Sequence, residues 1–230
     1  MMLNFDLLDL TYRPFPIGVI RPAMLEDVYA ECLNRFPEND LFEYIGEVGH
    51  KWSLSEKNAS KNYRQLVKNE PVWRSMYQWI KSPEFIESTF DALSVRHVDL
   101  GYETPSLNRR IQRRLKAMWR GRGRRADRYS ARFEFSMLPA SGGCVFPHTD
   151  NPEKVITIVI SMVGEGEWPQ EYGGGTDVLQ PKDEKLTFDH LNDRRPDFKD
   201  LEILQTYPFL PNQYNRGVFF LINNSRKPVD

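Results

Sequence analysis

His148-Thr149-Asp150 sets an imidazole two residues before a carboxylate. In extended backbone, residues i and i+2 project to the same side, so these two side chains can meet a single cation. One imidazole nitrogen and one carboxylate oxygen supply two corners of a two-histidine, one-carboxylate site. That donor set holds iron(II) on one face and leaves positions open for oxygen and small ligands. The triplet alone carries little weight, because a second one, His97-Val98-Asp99, stands among the chain's four histidines. A histidine hydrogen-bonded to a nearby acid at a strand end accounts for either triplet equally well.

The flanking elements separate the two triplets. Upstream of His148, Phe133, Phe135 and Met137 alternate with Arg132, Glu134 and Ser136, the pattern of a half-buried strand, and Gly142-Gly143 then permits a sharp turn. Downstream, residues 154–163 are rich in β-branched side chains with apolar groups on both faces, as expected of a central strand covered from both sides. Shorter strands are expected at 176–179, after Gly173-Gly174-Gly175, and at 201–206 and 218–222.

The N-terminal part reads differently. Leu25, Val28, Tyr29, Cys32, Leu33 and Phe36 recur at helical steps, and Val72, Trp73, Met76, Tyr77 and Ile80 mark a second helix. Ser82-Pro83 is a helix start, with Phe85, Ile86, Phe90 and Leu93 behind it. Residues 37–62 show little periodicity and read as loop. Helices first and strands afterwards argue for an α+β chain, mainly β in its second half, as a sandwich or barrel buttressed by the helices. No composition break marks a boundary, so 1–230 is expected to be one domain, with 1–128 as helical support and 129–230 as the β core.

Composition excludes several classes. Apolar residues at 40% and charged residues at 27% of 230 are those of a folding globular chain. Two cysteines, Cys32 and Cys144, are too few for a disulfide framework and form no Cys-x-x-Cys pair, so a reducing cytoplasm is expected. Cys144 reads as a small packing residue. No basic leader opens the chain, and the apolar run 155–163 is far shorter than the ~20 residues that span a bilayer. The net charge of -1 conceals a +9 segment, 105–128, with nine Arg and one Lys against Asp127; the remaining chain carries -10.

Gly142-Gly143-Cys144-Val145-Phe146-Pro147-His148-Thr149-Asp150-Asn151-Pro152, then the apolar strand, then Glu167-Trp168, then Glu171-Tyr172-Gly173-Gly174-Gly175-Thr176 and Val178-Leu179 follow in one order. That order resembles the core of the prolyl-4-hydroxylase-like branch of the iron(II)/2-oxoglutarate-dependent oxygenases. Residues 12–20 and 23–36 are similar to the opening strand and first helix of such enzymes, and the main similarity covers about 129–225. The resemblance implies a double-stranded β-helix (jelly-roll, cupin-like) core and a dioxygenase with His148 and Asp150 as metal ligands and catalytic centre. It further implies Fe(II), with 2-oxoglutarate and O2 as co-substrates, and hydroxylation of a substrate C–H bond with release of succinate and CO2. An aspartate at position 150 favours hydroxylation, since halogenating relatives carry a small residue there.

The chain departs from the family pattern at the third ligand. A histidine is expected soon after Gly217-Val218-Phe219-Phe220-Leu221-Ile222-Asn223-Asn224-Ser225, near 227–229, yet Arg226, Lys227, Pro228, Val229 and Asp230 stand there. A protonated lysine offers a metal no lone pair. The basic residue that holds the distal carboxylate of 2-oxoglutarate is expected on a following strand, which this sequence does not contain. Three alternatives stay open: the sequence stops short of a complete enzyme, the third ligand comes from elsewhere, or the domain is a metal-poor pseudoenzyme. Elsewhere means His190, or a rival set of His97, Asp99 and His148.

Arg132 and Thr157, on adjacent strands, are candidates for touching the 2-oxo acid, although pairing with Glu134 accounts for Arg132 as well. Trp168 and Tyr172 sit where related enzymes cover the substrate entrance, and aromatic packing at a barrel rim explains them equally. Gly173-Gly174-Gly175 has no following Lys-Ser/Thr pair and is not a phosphate loop. The basic segment has helical spacing through Leu107, Ile111, Leu115 and Met118, and reads first as a solvated face. The alternative function is a catalytically impaired β-helix module that binds an acidic partner or nucleic acid through those arginines. The substrate, a small molecule, a sugar or a protein side chain, does not follow from fold-level likeness, nor does the oligomeric state.

Overall fold

The computed structural model describes residues 2–12, 16–96, 129–148, 150, 154–164, 166–169, 171, 174–183, 200–208 and 218–222. Strands β1 (Leu8–Thr11) and β2 (Ile17–Ile20) pair antiparallel and lead into helix α1 (Glu26–Asn34), whose inner face buries Tyr29 and Cys32. Strands β3 (Glu43–Ile45) and β4 (Gly49–Ser55) follow. Helices α2 (Ser60–Asn69) and α3 (Pro71–Ile80) form a tight pair, with Glu70 between them in extended conformation and Pro71 at the first helical turn, where no amide partner is needed. Helix α4 (Pro83–Ser94) begins as its sequence predicts: Phe85 N–H donates to Ser82 Oγ at 3.3 Å.

The buried positions follow helical periodicity. Val72, Trp73, Met76 and Ile80 line one face of α3, and Ile86, Phe90 and Leu93 line one face of α4. These faces close on strand β5 (Glu134–Met137) through an aromatic cluster. Trp73 meets Phe135 edge-on with centroids 4.7 Å apart, Phe133 lies 4.8 Å from Phe135, and Tyr63 Oη donates to the Phe133 carbonyl at 2.9 Å. Each such ring pair adds ~0.5–1.5 kcal/mol beyond its buried area.

Strands β6 (Cys144–Val145), β7 (Ile156–Ile160), β8 (Gly175–Pro181), β9 (Leu201–Pro208) and β10 (Val218–Ile222) complete the order. One sheet runs β1-β2-β10-β7, a second runs β3-β4-β5 with β6 also paired to β4, and β8-β9 form a third. All pairings among the described residues are antiparallel. The chain is therefore α+β, with small open sheets and four helices among the described residues.

Two expectations are corrected. Residues 37–62 are not loop: they hold β3, β4 and the start of α2, and β4 is the middle strand of the second sheet. Its buried Ser53 and Ser55 hid it, because their hydroxyls are satisfied locally. Asn58 Nδ2 donates to Ser53 Oγ, and Asn58 N–H to Ser55 Oγ. Strands β1 to β4 thus accompany the four helices among the described residues of the N-terminal part. Strand β7 is also not covered from both sides. It ends its sheet among the described residues, with Ile156, Ile158 and Ile160 packed toward the core and Val159 43% exposed. The basic segment 105–128 lies outside the described residues, as do His97, Asp99 and His190.

Candidate functional site

Strand β6 carries the chain to His148, and a glycine makes its docking possible. Gly49 pairs with Val145 and His50 with Cys144, while Phe146 N–H donates to the Val48 carbonyl at 2.9 Å. Gly49 has φ +133°, and a Cβ there would lie 2.3 Å from the Cys144 carbonyl oxygen. Only glycine accepts both the conformation and the approach. Upstream, Gly143 N–H closes the preceding turn onto the Pro139 carbonyl at 2.6 Å.

His148 is oriented by its own chain. Nδ1 lies 2.8 Å from the Phe146 carbonyl oxygen. A carbonyl only accepts, so Nδ1 carries the proton and the neutral ring keeps its lone pair on Nε2. That nitrogen faces Asp150 Oδ1 at 3.9 Å, the imidazole half exposed and the carboxylate mostly covered.

Asp150 is held at both oxygens. Lys154 Nζ donates to Oδ1 at 2.6 Å, and Thr157 Oγ1 donates to Oδ2 at 2.5 Å. Thr157 reaches it because the isoleucines of β7 take the core-facing positions, which turns the intervening Thr157 to the opposite face. Burial by itself raises the Asp150 carboxyl. The hydrogen bonds from Lys154 and Thr157, with the Lys154 charge and His148, outweigh it and hold the group below the ordinary carboxylate range. The site thus presents an imidazole nitrogen 3.9 Å from a fixed carboxylate charge.

His148 Nε2 and Asp150 Oδ1 stand 3.9 Å apart, wider than the roughly 3 Å between neighbouring ligand atoms that lie ~2.0–2.2 Å from a metal at right angles. The Lys154 ammonium now sits on one of the same oxygens. Among the described residues, no group of three or more His, Cys, Asp or Glu side chains converges to hold a metal.

The structure brings three predicted residues together, His148, Asp150 and Thr157, and adds Lys154, which the sequence presented only as the start of a strand. Its four-residue spacing from Asp150 was the one available signal. Arg132 is exposed, and its charge acts on Glu56 beside the helices. Cys144 is a free, half-buried thiol. Trp168 is half-buried, whereas Tyr172, Gly173 and the span 223–230 lie outside the described residues. No helix among the described residues is long and apolar enough to cross a membrane. Comparison with protein-family models, characterised proteins and solved structures finds no match to this chain.

Proposed function

We propose that this protein is an iron(II)- and 2-oxoglutarate-dependent dioxygenase that hydroxylates a C–H bond, with His148 and Asp150 as metal ligands. One observation carries the reading: Nε2 of His148, freed by the bond from Nδ1 to the Phe146 carbonyl, faces Asp150 Oδ1 at 3.9 Å. Strand connectivity supports a jelly-roll core around it. β7 pairs with β10, and between them in sequence β8 pairs with β9 in another sheet. Such nesting is what a long hairpin folded over between two sheets produces.

A bound ferrous ion with 2-oxoglutarate would supply oxygen activation coupled to decarboxylation of the oxo acid. The residues here would do the rest of the work at the metal's first two positions. His148 presents Nε2, and its Nδ1 bond to the backbone fixes the ring plane. Asp150 supplies the negative charge, and Thr157 keeps Oδ2 directed so that Oδ1 turns toward His148. Lys154 must release Oδ1 for a metal to enter. Strand β10 ends at Ile222 opposite Ile156, next to Thr157 in β7, so the chain leaves β10 at the end of the sheet nearest Asp150. Among the described residues, no third ligand stands beside His148 and Asp150.

Anaerobic addition of Fe(II) and 2-oxoglutarate to the purified chain tests the reading. The expected result is a weak visible charge-transfer band, with succinate release on admission of air. His148→Ala and Asp150→Asn should lose both, and Thr157→Val should weaken metal binding by a factor of about 10 through loss of its hydrogen bond to the ligand. A wild-type chain that binds no more Fe(II) than His148→Ala overturns the proposal and leaves the non-catalytic binding module.

A further inference from the structure

A second concentration of charge lies on the helical side of the molecule, in the groove between α2 and α3. The groove is open to solvent, with a volume of about 530 Å³, and Arg64, Lys68 and Arg74 line it together with Tyr63, Tyr77 and Glu56. Three cations against one acid would be unremarkable if the acid neutralised one of them. It does not: Glu56 is engaged by Lys81 Nζ at 2.8 Å and by Tyr77 Oη at 3.0 Å. Among the described residues, none of Arg64, Lys68 and Arg74 pairs with a carboxylate.

Both guanidinium groups are nevertheless fixed in place. Arg74 Nε donates to the Lys68 carbonyl at 2.9 Å, and Nη2 donates to the same oxygen. Arg64 Nε donates to the Ser60 carbonyl at 3.1 Å and Nη2 to Ser60 Oγ at 3.2 Å. Among the described residues Nη1 of each guanidinium has no hydrogen-bond partner, so both groups keep a pre-oriented donor for a ligand. Pre-orientation lowers the entropy lost when an anion is gripped, which favours guanidinium groups for phosphate.

The spacing and the walls narrow the ligand. Arg64 is anchored at Ser60 and Arg74 at Lys68, so the two guanidinium groups are held eight residues apart along α2, about 12 Å of helix axis, a span for linked phosphates rather than for one. Lys81 Nζ lies 5.3 Å from the Tyr77 ring centroid and covers that ring, while Tyr63 meets Tyr77 edge-on. Neither tyrosine therefore offers an open face for a base to stack on. We propose that the α2–α3 groove binds a short chain of linked phosphates carried by a small molecule, gripped by Arg64, Lys68 and Arg74. This site is independent of His148 and Asp150.

Isothermal titration of the full chain with tripolyphosphate tests it, with orthophosphate and a single-stranded oligonucleotide titrated in parallel. The expected result is saturable one-to-one binding of tripolyphosphate, stronger than that of orthophosphate and weakened by added salt. Lys68→Gln and Arg74→Gln should each raise Kd by a factor of about 10, as loss of a charge-assisted contact does. The Lys68 ammonium makes no contact within the protein among the described residues, so Lys68→Gln leaves the helix pair intact and circular dichroism checks this. Equal affinity in wild type and both variants would place binding elsewhere, such as the arginine-rich segment, and overturn the proposal. Binding of the oligonucleotide alone, or no binding at low salt, overturns it too.

Discussion

Lys154 Nζ and Asp150 Oδ1 are in contact at 2.6 Å, on the same oxygen that His148 Nε2 faces at 3.9 Å. An ammonium so placed stands where a divalent cation bridging the imidazole and the carboxylate would enter. The contact keeps the carboxylate compensated, and a metal must displace it. Lys154→Met should therefore bind Mn(II) or Co(II) more tightly than wild type by roughly 1.5- to 5-fold, the worth of a half-exposed ion pair. Calorimetric metal titration reads this. An unchanged or weaker affinity in Lys154→Met shows that the lysine does not compete.

Gly49→Ala should couple fold to site. The added Cβ meets the Cys144 carbonyl at 2.3 Å from a backbone with φ +133°. Separating β4 from β6 costs about 2 kcal/mol or more and shifts the segment that leads to His148. Thermal unfolding should show a lower Tm, and metal affinity should fall with it. Wild-type Tm and affinity in this variant contradict the geometry.

Tyr29 joins α1 to the end of β7. Its hydroxyl donates toward the carbonyls of Ser161 and Val163 at 2.9 and 3.0 Å and accepts from Val163 N–H at 3.1 Å, with the side chain almost wholly buried. Tyr29→Phe leaves those backbone groups short of a partner and should destabilise the protein by ~1–3 kcal/mol. Urea unfolding should show a lower midpoint with an unchanged slope.

The two thiols should differ in reactivity. Burial, then the Glu31 charge, pushes Cys32 up to about 12, while Cys144 is half-buried. In the folded state Cys32 stays neutral. Its contribution to stability is complete below the ordinary thiol value of ~8.5 and is lost as pH rises from there toward the folded value. Iodoacetamide at pH 8.5 should label Cys144 in the native protein and Cys32 only after denaturant, read by mass spectrometry. Labelling of Cys32 at the Cys144 rate in native protein contradicts its burial.

What the sequence determined by itself was local. The Ser82 cap, the Pro83 start and the apolar faces of α1, α3 and α4 depend on neighbours within one or two turns. The meeting of His148 with Asp150 is equally short-range, since a two-residue offset points both side chains one way. The tertiary structure decided what depends on distant partners. Strand β4 pairs Leu54 with Phe135 across a long stretch of sequence, and its buried serines erase the alternation that would have announced it. Thr157 reaches Asp150 only because the β7 isoleucines are drawn to the helical core. The cations of α2 and α3 gather in one groove only once the two helices fold back on each other. Each of these contacts needs a chain reversal that composition and periodicity do not encode, whereas caps and two-residue offsets are written into adjacent backbone geometry.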